Sequence, residues 1–301
     1  RRRARACPDA RELVQTGGRM EPRIGAHIRV YRGLHTAFEI AGEYGADVLQ
    51  IFTASPRQYR AKPLEADRID PYIEAWREAG EPLVISHASY LINLASPKAG
   101  VRERAREALT LELERCAALR IPLLVLHMGS ALNDDRERSM ARLVTELNRL
   151  VPNVESDTRV LMETSAGQGS SIGCTFEEVG WVLERLEPAE RFGTCLDTCH
   201  TFAAGYGLHG SAFDDTWAQY DEHVGLDRLD VLHLNDSKGE LDSRVDRHDH
   251  IGNGHIGEEA FRRILRHERL RAVPCFIETP DDIEWHGKNL ALLKSMARDT
   301  G

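Results

Sequence analysis

Eight short, mostly apolar runs, each followed by a helix-like stretch, are the feature that leaves this 301-residue chain the fewest folds. They are RIGAHI (23–28), DVLQIF (47–52), PLVIS (82–86), LLVLH (123–127), RVLME (159–163), FGTCLD (192–197), DVLHL (230–234) and PCFIE (274–278). Runs of this length and composition suit strands buried on both faces, as in a parallel sheet covered by helices. Between them lie segments such as LHTAFEIAGEYG and KAGVRERAREALTLELERCAALR, the latter with Arg and Glu at i,i+4 spacing around a Leu/Ala face. The expected fold is α/β, a single (β/α)8 TIM barrel whose chemistry sits at the carboxyl rim of the strands. A doubly wound open sheet is the runner-up. It usually begins on a Gly-rich dinucleotide turn, and none is present here.

No Pro/Gly-rich linker divides the chain, and the polar break ALNDDRERSM reads as a βα loop. Met20 followed by EPRIGAH looks like a natural start, so residues 1–19 are expected to be a disordered or non-native extension and 20–301 one catalytic domain. The start RRRARAC lacks the apolar stretch of a secretory signal, and Asp9 and Glu12 argue against a transit peptide. No apolar run approaches the roughly 20 residues that a membrane helix needs. The six cysteines (7, 116, 174, 195, 199 and 275) form no C-x-x-C pair, which fits reduced thiols and a cytoplasmic location.

The strand ends carry the chemistry. His127, Glu163, Asp197 and Glu278 close their runs, His233 lies in DVLHL, and His87 follows PLVIS directly. Strand interiors are normally apolar, and buried charges are rarely left without a partner. A lone His at a strand end is usually a hydrogen-bonded structural residue, but six such residues at one rim reverse that judgement. His200 lies three residues after Asp197, and the stretch LDVLHLNDSKGELDSRVDRHDHIGNGHIG adds Asp246 and His248. Five imidazoles and four carboxylates are too many for one ion and suit a cluster, best zinc. His27, His35, His250 and His255 are assigned structural or ligand-orienting roles, and Cys195 and Cys199 packing roles.

At −9, the formal charge counts against a nucleic-acid partner, but three Zn²⁺ would bring it to about −3 with the gain in one cleft, so DNA is not excluded. Two rival readings remain. A sugar isomerase or epimerase on this barrel binds one or two metals with about four ligands, and has no use for His200 or the Asp246–His248 pair. A metal-free nucleic-acid-binding barrel leaves four converging carboxylates to repel phosphate.

The stretches GAHI, QIFTASPRQY, HASYLINLASP, LVLHMGS, METSAGQG, CLDTCHTFAAGY and LHLNDSKGELDSRVDRHDHIGNGHIG closely resemble the endonuclease IV family of apurinic/apyrimidinic endonucleases, from about Ile24 to Thr279. The resemblance implies a TIM barrel with three zinc ions, Mn²⁺ being the alternative occupant of one position. His87, His127 and a bridging Glu163 would hold the first, Glu163, Asp197, His233 and Glu278 the second, and His200, Asp246 and His248 the third. It also implies hydrolysis 5′ to abasic sites in duplex DNA and removal of blocked 3′ ends, by a monomer, with Glu163 and Glu278 as catalytic residues. Arg57, Tyr90 and Leu91 match the positions that fill the gap left by the missing base. The chain departs from the family's pattern in three places. Arg29, Val30, Tyr31 and Arg32 precede Gly33 in place of a Gly-Gly turn, Met128 stands where HPGS is usual, and Tyr59 replaces a Trp. All three bear on DNA grip more than on hydrolysis.

Overall fold

Each expected run forms a strand, with ends displaced by no more than two residues. They are β1 (Ile24–Ile28), β2 (Leu49–Ile51), β3 (Val84–His87), β4 (Leu123–His127), β5 (Arg159–Glu163), β6 (Phe192–Asp197), β7 (Leu229–His233) and, after two short strands β8 (Asp236–Ser237) and β9 (His248–Asp249), β10 (Cys275–Ile277). The computed structural model describes residues 21–59, 61–280 and 283–298, so the expected extension at 1–19 and Met20 lie outside the described residues. The barrel closes in the order β1-β2-β3-β4-β5-β6-β7-β10 with parallel neighbours throughout. This is the (β/α)8 barrel that the alternation predicts.

Among the described residues the helices are α1 (Thr36–Tyr44), α2 (Ala66–Glu78), α3 (Ala99–Ala118), α4 (Arg136–Leu150), α5 (Phe176–Leu183), α6 (Thr198–Ala203), α7 (Ala212–His223), α8 (Glu258–Arg266) and α9 (Ile283–Arg298). Several begin on the caps that their sequences announce. Asp135 accepts from the Arg138 N–H at α4, and Thr175 accepts from the Glu178 N–H at α5. No described helix is long and apolar enough to cross a membrane.

Among the described residues two apolar regions hold the molecule together. The larger lies between sheet and helices. The smaller comprises Val48, Leu83, Ile85, Leu123, Val125, Leu161, Cys195, Val231 and Phe276, a packed barrel interior. Because strand side chains alternate, residues two positions on share a face. Two positions on from Val48, Ile85, Val125, Leu161, Cys195, Val231 and Phe276 stand Gln50, His87, His127, Glu163, Asp197, His233 and Glu278. The polar layer therefore rests directly on the apolar one, which explains why these side chains face inward.

On β1 the corresponding pair is Gly25 and His27. A Cβ added at Gly25 would lie 1.7 Å from the Val48 carbonyl oxygen, so the backbones of β1 and β2 meet only because that side chain is absent. Gly25→Ala is expected to cost about 3–5 kcal/mol, read as a loss of thermal and denaturant stability. Unchanged stability would show that this close approach is not needed.

Candidate metal centre

Strand register sets the centre's floor. His127 pairs with Glu163, Glu163 with Cys195, and Asp197 with His233. Glu163 is fully buried and is the hub. Its Oε2 lies 3.2 Å from His87 Nε2 and 3.0 Å from His127 Nδ1, and its Oε1 lies 3.1 Å from His233 Nδ1. His233 Nδ1 is also 3.3 Å from Glu278 Oε2 and 3.8 Å from Asp197 Oδ2. His200 Nε2 and His248 Nε2 stand 3.3 and 3.5 Å from Asp246 Oδ1, and His248 Nε2 is 3.7 Å from Asp197 Oδ2.

The nine side chains thus fall into three groups that each bring their ligand atoms within 4.8 Å: His87, His127 and Glu163; Glu163, Asp197, His233 and Glu278; His200, Asp246 and His248. Glu163 belongs to two of them.

The imidazoles are oriented from behind. His87 Nδ1 donates to the Ala88 carbonyl at 2.8 Å, His200 Nδ1 to the Thr164 carbonyl at 2.9 Å, and His248 Nδ1 to the Glu278 carbonyl at 3.0 Å. His233 Nε2 donates to Gln50 Oε1 at 2.8 Å. In each ring the second nitrogen is then left facing the carboxylates, the arrangement by which proteins fix a ligating tautomer. The buried His248 Nε2 has no hydrogen-bond partner of its own. This donor set of imidazole nitrogens and carboxylate oxygens fits divalent zinc.

Charge follows the same geometry. Burial disfavours an ionised Glu163, but His127, His233 and His87 outweigh it and hold its pKa well below 4.5. Glu278 is likewise held low against burial by His233 and His27. Burial lowers His200, yet Asp197, Asp246 and Glu163 keep it well above its usual value. Cys195 and Cys199 also lie within reach of ligand groups. Burial pushes both thiols up to about 12.

Several residues that steady the centre carried no clear signal in the sequence. Gln50 donates from Nε2 to Glu278 Oε1 at 2.5 Å and to His27 Nδ1 at 2.9 Å, besides receiving His233. Asn235 donates to Asp197 Oδ2 at 2.6 Å while its Oδ1 accepts from the Glu278 N–H at 2.6 Å. Gln50 could have been found by counting two residues on from Val48, whereas Asn235 looks like any turn asparagine. The polar loop after β7 also proves partly ordered by β-pairing, since Ser237 of β8 faces His248 of β9. Buried Asp236 fastens it, accepting from the Ser237, Ile256 and Gly252 N–H groups at 2.8–2.9 Å.

Beside the centre opens a cleft of about 1170 Å³ whose lining includes Glu278, His248, Tyr90, Arg57, Arg29 and Tyr31. Leu91 is half-buried and not among the lining residues. Tyr90 is exposed, with ring centroids 5.6 Å from His87 and 6.0 Å from His127. Tyr31, from the departing first loop, is 80% exposed and reaches into the same cleft. Tyr59 packs 5.4 Å from the Arg104 guanidinium, away from the ligands. Met128 is buried with its sulfur against Gly173 of the loop after β5.

That loop is tied down by Glu178. Its carboxylate takes a two-pronged bond from Arg136 at 2.6 and 2.8 Å and accepts from the Gly173 and Cys174 N–H groups at 2.8 and 3.2 Å. Against burial, Arg136 and these amides hold Glu178 below its usual pKa of 4.5. A carboxylate depressed on folding stabilises above its unfolded pKa and loses that contribution as pH falls through the folded one. Glu178→Gln is expected to cost about 1–3 kcal/mol at pH 7. The gap to wild type should close as pH drops below about 4 in denaturant titrations, and a gap that ignores pH would contradict this role.

The xylose isomerase-like TIM barrel family matches residues 38–296. A probable endonuclease 4 of Chloroflexus aggregans is 42% identical over 283 residues, 93% of this chain and 99% of that one. Among solved structures, an endonuclease IV from Thermus thermophilus is 34% identical with a TM-score of 0.80, covering 91% of this chain and 98% of that one. A D-tagatose 3-epimerase-like protein (18% identity, TM-score 0.70, 91% of this chain and 96% of that one) shares the fold alone. The match to a relative along almost its whole length, over the same barrel, identifies the chain: it belongs to the endonuclease IV family, hydrolytic nucleases on the xylose isomerase-like TIM barrel.

Proposed function

We propose that this chain is a zinc-dependent DNA repair endonuclease. It hydrolyses the phosphodiester bond 5′ to an abasic nucleotide in duplex DNA, leaving a 3′-hydroxyl and a 5′-deoxyribose phosphate. Removal of blocked 3′ ends is proposed as a second use of the same chemistry. The observation that carries the reading is Glu163, placed between His87 and His127 on one oxygen and His233 on the other, with the Asp246 group adjoining.

Three Zn²⁺ would be held by the three ligand groups, with Mn²⁺ admissible at one. Bound there, the ions supply water of lowered pKa and neutralise charge developing on the phosphate. Glu163 holds its neighbours' imidazoles in register. Glu278, at the cleft's edge with Gln50 on one oxygen and His233 on the other, is proposed to orient the attacking water and take its proton. An isomerase site would leave His200, Asp246 and His248 without a purpose.

Arg57, Tyr90 and Leu91 are proposed to recognise the lesion, because an abasic step is easily opened and a cation, an aromatic and an aliphatic side chain can fill it. Tyr90→Ala is then expected to raise KM on an abasic duplex about 10- to 100-fold with little change in kcat. A fall in kcat alone would contradict a recognition role. Residues 20–301 are proposed as the catalytic domain, working as a monomer in the cytoplasm.

The test is incision of a duplex bearing one tetrahydrofuran abasic analogue, which cannot undergo β-elimination. The expected result is a single cut 5′ to the analogue, lost after prolonged chelation and restored by Zn²⁺. No cut by a chain carrying three zinc ions would refute the reading.

A further inference from the structure

A buried polar network that the metal centre does not use lies beneath the two recognition loops. It is built on Glu112 and Arg115 of α3, both more than nine-tenths buried. Thr53, where the loop after β2 begins, donates from Oγ1 to Glu112 Oε2 at 2.5 Å and accepts from Arg115 Nε at 3.2 Å. Arg115 Nη2 donates to the Thr53 carbonyl, and Nη1 to the Lys62 carbonyl at 2.6 Å. One guanidinium therefore holds both ends of the segment that carries Arg57.

The same network reaches the neighbouring loop. The Ser89 backbone donates to Glu112, Ser89 Oγ donates to the Pro56 carbonyl at 2.8 Å, and the Leu91 N–H donates to Ser89 Oγ at 3.3 Å. Pro56 precedes Arg57, and Ser89 precedes Tyr90. The two side chains that line the cleft from different loops are thus each one residue from a shared anchor.

We propose that Glu112 and Arg115 are positioning residues for lesion recognition, locking the loop that carries Arg57 to the loop that carries Tyr90 so that both meet the DNA at a fixed spacing. The proposal rests on the endonuclease reading for its substrate. Loops held this way lose little freedom on binding, so the anchor acts on affinity rather than on the chemical step. Burying a carboxyl group and a guanidinium is costly, and a network that served stability alone could be replaced by apolar packing. Here the hydrogen bonds end on loop backbone, where apolar side chains could not substitute.

The experiment uses the zinc-loaded full-length chain and a duplex with one tetrahydrofuran. Glu112→Ala and Arg115→Met are expected to raise the Kd for this duplex about 10- to 100-fold, leaving saturated single-turnover incision within about threefold and metal content unchanged. Glu112→Gln, which keeps an acceptor for Thr53, should stay within about threefold of wild type. Thr53→Val removes the shared hydroxyl at constant shape, guards against a larger variant that fails to fold, and should weaken binding in the same sense. Amide exchange should quicken in loops 52–65 and 88–93 and not in the barrel strands. An unchanged Kd, a saturated rate that falls in step with binding, or exchange that rises evenly through the barrel would overturn the proposal. If the wild-type chain does not incise at all, the endonuclease reading falls, and the exchange pattern still decides whether the pair clamps the loops.

Discussion

Glu163→Ala is expected to reduce bound zinc from three ions per chain to one and to lower incision of an abasic duplex a thousandfold or more, on the order expected when metal-supplied activation of water is lost. The reason is topological. Glu163 is the one residue common to the His87–His127 group and the Asp197–His233–Glu278 group, so its loss opens both. The Asp246 group does not include Glu163 and should retain its ion. Removal also leaves His87 and His233 buried beside one another without the carboxylate that compensates them, their ring centroids 6.1 Å apart. Glu163→Gln separates charge from shape, because it preserves packing and weakens metal binding. Metal content by atomic emission and single-turnover incision check both variants, and full zinc occupancy in Glu163→Ala would show that the carboxylate is not shared.

Asp197→Ala should be nearly as damaging, at about a thousandfold or more in incision, for a different reason. Asp197 ends β6, caps α6 through its Oδ1 and the His200 N–H at 2.9 Å, and turns Oδ2 toward His233 and His248. It therefore joins the second group to the third. The variant loses a ligand and also the cap that aims His200, whereas Asp197→Asn keeps the cap. The expected order of activity is wild type, then Asp197→Asn, then Asp197→Ala. Zinc should leave two positions in the alanine variant and one in the asparagine variant. Equal losses in the two would mean that the cap does not help place His200.

Much of this was legible in the sequence because a barrel strand writes its own orientation. β4, β5 and β6 fall where their apolar runs begin and end, each closing on a side chain at the rim. β2 and β10 are shorter than their runs since Asp47, Val48, Phe52, Pro274 and Glu278 lie outside the paired register, while β3 runs one residue further and takes in His87. The polar layer was only partly visible. His87, His127, Glu163, Asp197, His233 and Glu278 stand out as ionisable groups, but Gln50 is a neutral amide in an apolar strand and draws no notice until its partners are known. Between a structural and an orienting role for His27, its contacts with Gln50 and Glu278 agree with the second.

Loops were the least legible part of the chain. The β8–β9 pair is two residues long on each side, too short for any alternation, and depends on Asp236 collecting three backbone N–H groups from residues up to 20 positions away. The anchor at Glu112 and Arg115 was hidden for a similar reason. On α3 these residues look like part of a solvated charge ladder, yet they are buried, with Thr53 and Lys62 of the loop after β2 and Ser89 of the loop after β3 against them. Long-range closure of this kind leaves no local periodicity.

A three-ion centre organised on Glu163 can be tested outright by anomalous diffraction at the zinc absorption edge from zinc-loaded crystals. Three peaks are expected, one within each ligand group, with nitrogen and oxygen ligands at about 2.0–2.2 Å and Glu163 reaching two of them. One peak bounded by Glu163, Asp197, His233 and Glu278, with His200, Asp246 and His248 left empty, would contradict such a centre and match the one- or two-metal site of the isomerase reading.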